Sequence, residues 1–242
     1  MSDYLYTSMS GALHTMKAQS IHANNLSNSG TTGFRRDFES ALGHEVKGAG
    51  HNATVLSQTQ VPITDFTPGS LDVTGRNLDV GIKGSGFFAV TDENGNEAYT
   101  RVGNLQLDAE GRLSSQGREI VGNGGAINVP EHQSLHIGSS GSISITAPGG
   151  GQLEAGQLKL VNPDPATLTK GTDGLFRPRN GGQVAQDDNV VVLSRHLEGS
   201  NVNPVDEMVS TMSLSRTFEI QVRMMKTADE NAAAGSRLVR GS

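Results

Sequence analysis

Apolar residues recur in two rhythms along this chain, and the change between them divides it into three stretches. Leu5, Met9, Ala12, Met16, Gln19, Ala23 and Leu26 follow one another in alternating steps of four and three. This is the spacing of a heptad seam on one helix face, with Gln19 its polar member. It predicts a helix from Ser2, a suitable N-cap, to a stop at Gly30 or Gly33. A second helical rhythm follows Asn203-Pro204, an N-cap and first-turn pair, with Asp206 and Glu207 in the positively polarised first turn. Its apolar positions are Val205, Met208, Val209, Met212, Phe218, Val222 and Met225, broken at Ser215, with Gly235 as a candidate end.

Between these stretches the period shortens to two. Leu78-Asp-Val80-Gly-Ile82 alternates, and Phe87–Val90, Ala98–Val102 and Leu105–Leu107 continue as short strands. Arg118–Val121, Ala126–Val129, Leu135–Ile137, Ser142–Ile145, Leu158–Val161 and Val190–Leu193 extend the series. Turn residues separate them, and Asn94-Gly95 suits a type I′ hairpin. Strand spacing of about 8–12 residues predicts an all-β sandwich or open barrel. Residues 41–77 carry few long apolar stretches and read as an extended connector or irregular β ribbon, not a separate core.

Glycine and proline support this division. The eight prolines fall at 62, 68, 130, 148, 163, 165, 178 and 204, and most of the 31 glycines lie between residues 41 and 200. Proline breaks helix interiors and each glycine weakens them by about 1 kcal/mol, so the distribution permits helices at both ends and favours turn-rich β structure in the middle. The first 34 residues carry only Asp3 and Lys17 as formal charges. A helix so poor in charge expects neighbours on several sides. The two apolar stripes are expected to pack on each other, and a lone hairpin cannot bury both fully.

Composition narrows the chemistry. The chain has no cysteine, which removes disulfide scaffolds, thiolate metal sites and cysteine nucleophiles. A net charge of −6 argues against a nucleic-acid partner. No apolar run reaches the length of a membrane span, and the start lacks the pattern of a cleaved signal peptide. Gly84-Ser-Gly86-Phe-Phe-Ala89 approaches a dinucleotide fingerprint, but a strand follows where that motif needs a helix. Asp92, Asn94 and Asn96 imitate a calcium loop that lacks its closing acid. His132 and His136 stand four apart without helix or glutamate, and read as surface residues. No catalytic, cofactor-binding or metal-binding set emerges, so the chain reads as a non-enzyme without cofactor.

Ala23-Asn24-Asn25-Leu26-Ser27-Asn28-Ser29-Gly30-Thr31-Thr32-Gly33-Phe34-Arg35 resembles the signature of bacterial flagellar axial proteins, the rod and hook family. Ser27 stands where that family usually has Ala. The asparagines can bond helix-end carbonyls or partner chains, Gly33 allows a chain reversal and Phe34 anchors it. Gly69–Val90 is similar to the family's opening of the β domain, and Tyr99-Thr-Arg-Val-Gly-Asn104 continues it, with Asn104 where Phe is common. Glu198-Gly-Ser-Asn201-Val-Asn203, Glu207-Met208, Arg216-Thr-Phe-Glu219 and Asp229-Glu230 resemble its C-terminal pattern. Residues 131–185 carry no such match. The opening Tyr4–Ala12 resembles the proximal rather than the distal branch of the rod proteins.

The resemblance implies a structural subunit of the basal-body rod, which transmits torque from motor to hook. It implies export through the flagellar type III apparatus without a cleaved signal, and assembly in the periplasm. The implied partners are further copies and other rod subunits, FlgC-type proximal and FlgG-type distal, with no nucleic acid, small-molecule substrate or membrane insertion. The expected fold is mainly β with α-helical termini. Residues 1–36 and 198–242 would form a coiled-coil-like inner helical domain, 37–77 a connector, and 78–197 the central β domain. The expected assembly residues are Leu5, Met9, Ala12, Met16, Ala23, Asn24, Asn25, Leu26, Asn28, Gly33 and Phe34, with Asn201, Asn203, Val205, Met208, Met212, Phe218, Val222 and Met225. A distal rod subunit, another tubular assembly protein and a β-rich carbohydrate-binding or hydrolase module are the alternatives.

Overall fold

The two stretches free of proline and poor in glycine become the two helices. The computed structural model describes residues 2–39, 41–45, 55–59 and 62–240. Helix α1 spans Ser2–Ser27 and helix α2 spans Pro204–Arg240. Asn203 caps α2 as its position before a proline predicts, its Oδ1 accepting the Val205 N–H at 3.1 Å. Gly235 does not end α2, which runs on to Arg240. Isolated weak helix formers cost about 1 kcal/mol or less each and are outvoted by a long run of good ones.

The chain divides into two units. One holds α1, α2 and residues 36–65. In it Asp37–Phe38 pairs antiparallel with Ile63–Thr64, and Ala41–Glu45 with Val55–Thr59. Thus the described part of the expected connector includes two strand pairs. The rest of that stretch, residues 40, 46–54 and 60–61, lies outside the described residues.

The second unit comprises residues 30–35 and 66–201 and is built from short strands. Its widest sheet has five, in the order Leu160–Val161, Phe87–Thr91, Glu97–Thr100, Phe176–Pro178 and Leu168–Lys170. Alternation along its strands buries both faces. Phe88, Val90 and Ala98 join one apolar cluster with Leu105, Leu113, Ile143 and Leu158. Phe87, Ala89, Tyr99 and Val161 join another with Phe176 and Phe66. The remaining sheets have two or three strands, and none among the described residues closes. The unit is therefore mainly β, as expected, and made of small unclosed sheets among the described residues. Strands of two to six residues interrupted by left-handed glycines are too short to wrap a closed sheet.

Entry and exit strands pair with each other: Leu71–Val73 with His196–Glu198, and Val80–Lys83 with Val191–Ser194. This register carries Glu198 back to the start of the unit. Close packing there depends on Gly103, where a Cβ would stand 1.6 Å from the Val80 carbonyl oxygen.

The Asp92–Asn96 loop differs from the expected type I′ turn. Gly95 alone has positive φ, at 79°, and its N–H bonds the Asp92 carbonyl at 3.0 Å. That is a type I turn followed by a left-handed glycine. The Asp92 carboxylate makes the difference, accepting the N–H groups of Asn94 and Asn96 at 2.9 Å each. The Asn96 N–H, aided by Arg177, holds this carboxyl below its ordinary range. Its oxygens face N–H donors, as no calcium ligand would.

Candidate assembly surface

The helical unit presents a polar seam on the inside and an apolar surface on the outside. Helix α1 runs antiparallel to α2, with Thr15 meeting Gln221 and His22 meeting Glu207. The α1 residues buried here are Ala12, Thr15, Ala18 and Asn25. Gly11 lets α2 come close, since a Cβ there would lie 3.0 Å from the Gln221 amide nitrogen. Thr15 Oγ1 donates to Gln221 Oε1 at 3.1 Å.

At the far end of the seam lies a buried polar node. Glu207 is 5% exposed and its Oε2 lies 2.5 Å from His22 Nδ1. Asn25, 1% exposed, donates to Glu207 Oε1 at 3.4 Å and to the Asp37 carbonyl at 2.7 Å, and accepts the Asp37 N–H at 3.0 Å. Its amide thus pairs with the Asp37 backbone as a neighbouring strand would, which fixes the chain path after α1. A second histidine of α1, His14, stands 3.4 Å from Glu39.

The heptad seam read from the sequence is not this line of contact. Ala12 is buried and Leu26 half-buried, but Met9 and Met16 are 47% and 54% exposed, and Ala23 is exposed. The side chain of Leu5 lies outside the described ones. On α2, Val205, Met208, Met212 and Val222 are exposed, and Phe218 and Met225 half-buried. The physical reason is size. Two helices approach most closely through Gly, Ala and Thr, and the hydrogen bonds of this seam reward that approach, leaving the methionines outside. Leu13, Val209, Ile220 and Met224 enlarge the exposed apolar surface.

The asparagine cluster closes α1. Asn28 Nδ2 and its backbone N–H both reach the Asn24 carbonyl, at 2.9 and 3.1 Å, while Asn24 itself is exposed.

In the β unit, the segment 30–35 and the exit strand meet at Glu198. This carboxylate is 1% exposed and takes Arg35 Nη2 at 2.5 Å, Arg101 Nη2 at 2.6 Å, Arg101 Nε at 2.8 Å and the Gly69 N–H at 3.0 Å. Its backbone carbonyl accepts the Gly33 N–H at 2.8 Å. Arg101 also donates to the carbonyls of Gly84 and Gly86. Burial pulls its guanidinium down to about 10, against the upward pull of Glu198. Phe34 lies under Lys170 Nζ at 4.0 Å, and its carbonyl accepts the Asn201 N–H at 3.3 Å. Asn201 also donates to the Thr67 carbonyl. Gly33, Phe34 and Asn201 therefore have partners within the unit.

Gly33 has φ of +67°, and a Cβ there would stand 2.6 Å from the Arg101 carbonyl carbon. Gly33→Val is expected to destabilise the β unit by at least about 2 kcal/mol through strain and clash. Thermal denaturation of the purified chain measures this; an unchanged melting temperature would contradict it.

The sequence reading missed Arg35, Arg101, Glu198 and Glu207. Arg35 and Glu207 each stand beside another charged residue, Arg36 and Asp206, and no spacing along the chain marks any of the four as a buried partner; only the fold brings them to the partners that let such residues be buried. No group of three or more His, Asp or Glu among the described residues is placed to hold a metal ion. No helix among them is long and apolar enough to cross a membrane.

Comparison with known families gives three matches in chain order. Residues 5–35 match "Flagella basal body rod protein", residues 81–145 "Flagellar hook protein FlgE/F/G D1 domain", and residues 193–238 "Flagellar basal body rod FlgEFG protein C-terminal". The flagellar basal-body rod protein FlgF of Salmonella typhimurium is 36% identical over 248 residues, covering 99% of both chains. That of Escherichia coli is 35% identical with the same coverage. The rod protein FlgG of Buchnera aphidicola is 30% identical over 87% of this chain and 89% of its own.

Proposed function

The chain belongs to the family of flagellar basal-body rod proteins, and from that premise we propose how its two units serve the rod. It is a FlgF-like structural subunit of the flagellar basal-body rod. The FlgF proteins of Salmonella typhimurium and Escherichia coli match it at 36% and 35% over 99% of the chain, whereas the FlgG proteins of Buchnera aphidicola and Bacillus subtilis match it at 30–32% over 87–93%.

The observation that carries the reading is the apolar surface left open on α1 and α2. Met9, Leu13 and Met16 on one helix, and Val205, Met208, Val209 and Met212 on the other, are all more than 40% exposed. Each is worth about 1.5–3 kcal/mol when fully buried. Single exposed apolar residues are ordinary, but a row of them on paired helices marks a surface meant for other chains. The copies join by heterologous contacts, one patch against a different patch on the next subunit, which generates a helical array. Coiled-coil-like packing then arises between subunits, with α1 and α2 in the tube wall. Ala23, Asn24, Phe218, Val222 and Met225 contribute to the same surface. The partners are further copies and FlgC-type and FlgG-type rod subunits. The subunit reaches the periplasm through the flagellar type III export apparatus.

Deletion of the gene, followed by electron cryotomography of the envelope, tests the reading. Basal bodies should lack a complete rod and hook, and the cells should not swim. Complete rods in that strain would overturn it.

A further inference from the structure

Three Asn-Gly pairs occur in the chain, Asn94-Gly95, Asn123-Gly124 and Asn180-Gly181, and all lie in turns of the β unit. Such a pair holds the parts of a reaction within itself. The glycine nitrogen, unshielded by any side chain, can attack the amide carbon of the asparagine before it. That attack needs the nitrogen free of a hydrogen bond and able to turn toward Cγ. All three asparagines are exposed, so exposure does not tell them apart. Backbone bonding does. The Gly95 N–H donates to the Asp92 carbonyl at 3.0 Å and the Gly181 N–H to the Pro178 carbonyl at 3.1 Å. Both glycines are fixed in left-handed backbone, with φ of 79° and 70°. The single Asp-Gly pair, Asp173-Gly174, is closed in the same way, with φ of 77° at Gly174 and its N–H on the Gly171 carbonyl at 3.1 Å.

Asn123-Gly124 is built differently. It forms the tip between Val121–Gly122 and Gly125–Ala126, where Gly122 pairs with Gly125. The Asn123 N–H donates to the Gln157 carbonyl at 3.0 Å, which holds the residue by its own backbone. Among the described residues, neither the Gly124 N–H nor the Asn123 side-chain amide has a hydrogen-bond partner. A Cβ at Gly124 would meet nothing within 4 Å, so the nitrogen has room to turn. We propose that Asn123 is a site of spontaneous deamidation through the Gly124 nitrogen, with water as the co-reactant. The Gly124 nitrogen bonds to Asn123 Cγ, and the side-chain amide nitrogen leaves as ammonia, taking the Gly124 N–H proton. The succinimide so formed is opened by water at either carbonyl, giving aspartate or isoaspartate. Both products add a negative charge to a chain already at −6. Isoaspartate also routes the main chain through the former side chain, and the Gly122–Gly125 pairing bears that lengthening first. The inference is independent of the rod-subunit reading, because every group in it belongs to the β unit.

The test is to incubate the purified full chain at mildly alkaline pH, beside a sample unfolded in urea, and to follow each asparagine by peptide mass spectrometry. In the folded chain, deamidation at Asn123 should run about tenfold faster than at Asn94 or Asn180, the rate advantage of a nucleophile that gives up no hydrogen bond. In urea the turns are lost and the three rates should converge. An isoaspartyl methyltransferase with labelled S-adenosylmethionine should mark the isoaspartate fraction in the Asn123 peptide. Asn123→Gln, an exposed change, should remove the fast event and leave the melting temperature unchanged. Equal rates at the three sites of the folded chain would overturn the assignment. So would an Asn123 that stays intact in the folded chain while it reacts in urea. A preference for Asn123 that persists undiminished in urea would put its cause in the sequence and overturn the structural argument as well.

Discussion

Glu198→Ala is expected to lower the stability of the β unit by about 3–5 kcal/mol, the usual cost of removing one partner from a buried ion pair. The loss has three parts. Two guanidiniums, 2% exposed at both Arg35 and Arg101, lose the carboxylate that neutralises them. The Gly69 N–H loses its acceptor. Finally, the pairing of His196–Glu198 with Leu71–Val73 is left bordering uncompensated buried charge. Against a typical total of about 5–15 kcal/mol, this is enough to populate unfolded chain. Glu198→Gln keeps the shape and one acceptor oxygen and should cost less. Chemical denaturation of the three purified proteins gives the ranking wild type, Gln, Ala. A midpoint for Glu198→Ala equal to wild type would mean that the guanidiniums find other acceptors, and the account of this node would fail.

The importance of Glu198 could not be read from its neighbours in sequence. Arg35, Arg101 and Glu198 are far apart along the chain, and only the pairing of entry and exit strands unites them. By contrast, both helices were legible, because proline and glycine exclude helix elsewhere and Asn203-Pro204 marks a start locally. The strand at Phe87–Thr91 was legible because its aromatic and β-branched residues suit a half-buried pleat. Gln152–Gln157 was not, since Gln-Leu-Glu-Ala-Gly-Gln holds no β-branched residue and its pairing with Ser142–Thr146 supplies the strand. The Asn94-Gly95 turn was found at the right place with the wrong geometry, because Asp92 decides its type from two residues away. The helix seam failed for a related reason. A heptad pattern locates the apolar face of α1 but does not say which side α2 occupies, and here it occupies the side of Gly11, Ala12 and Thr15.

That separation between inner seam and outer apolar face makes Met212→Asp the sharper test of assembly. Met212 is 57% exposed in the single chain. An exposed substitution of this kind should change the stability of the purified subunit by no more than about 0.5 kcal/mol. In a packed rod the same carboxylate would be buried without a cation, at a cost of several kcal/mol or a forced protonation. The expected outcome is therefore a subunit with wild-type melting behaviour, basal bodies that stop short of a complete rod, and cells that do not swim. Met212→Leu, which keeps the volume and the apolar character, should assemble and swim. Ala12→Asp provides the contrast. Ala12 is 6% exposed, next to Gly11 on the helix that meets α2 through Thr15 and Gln221, so a carboxylate buried there should already destabilise the helical unit of the isolated chain. If Met212→Asp swims normally, the exposed row on α2 faces water in the rod, and the surface proposed here is not the one that builds it.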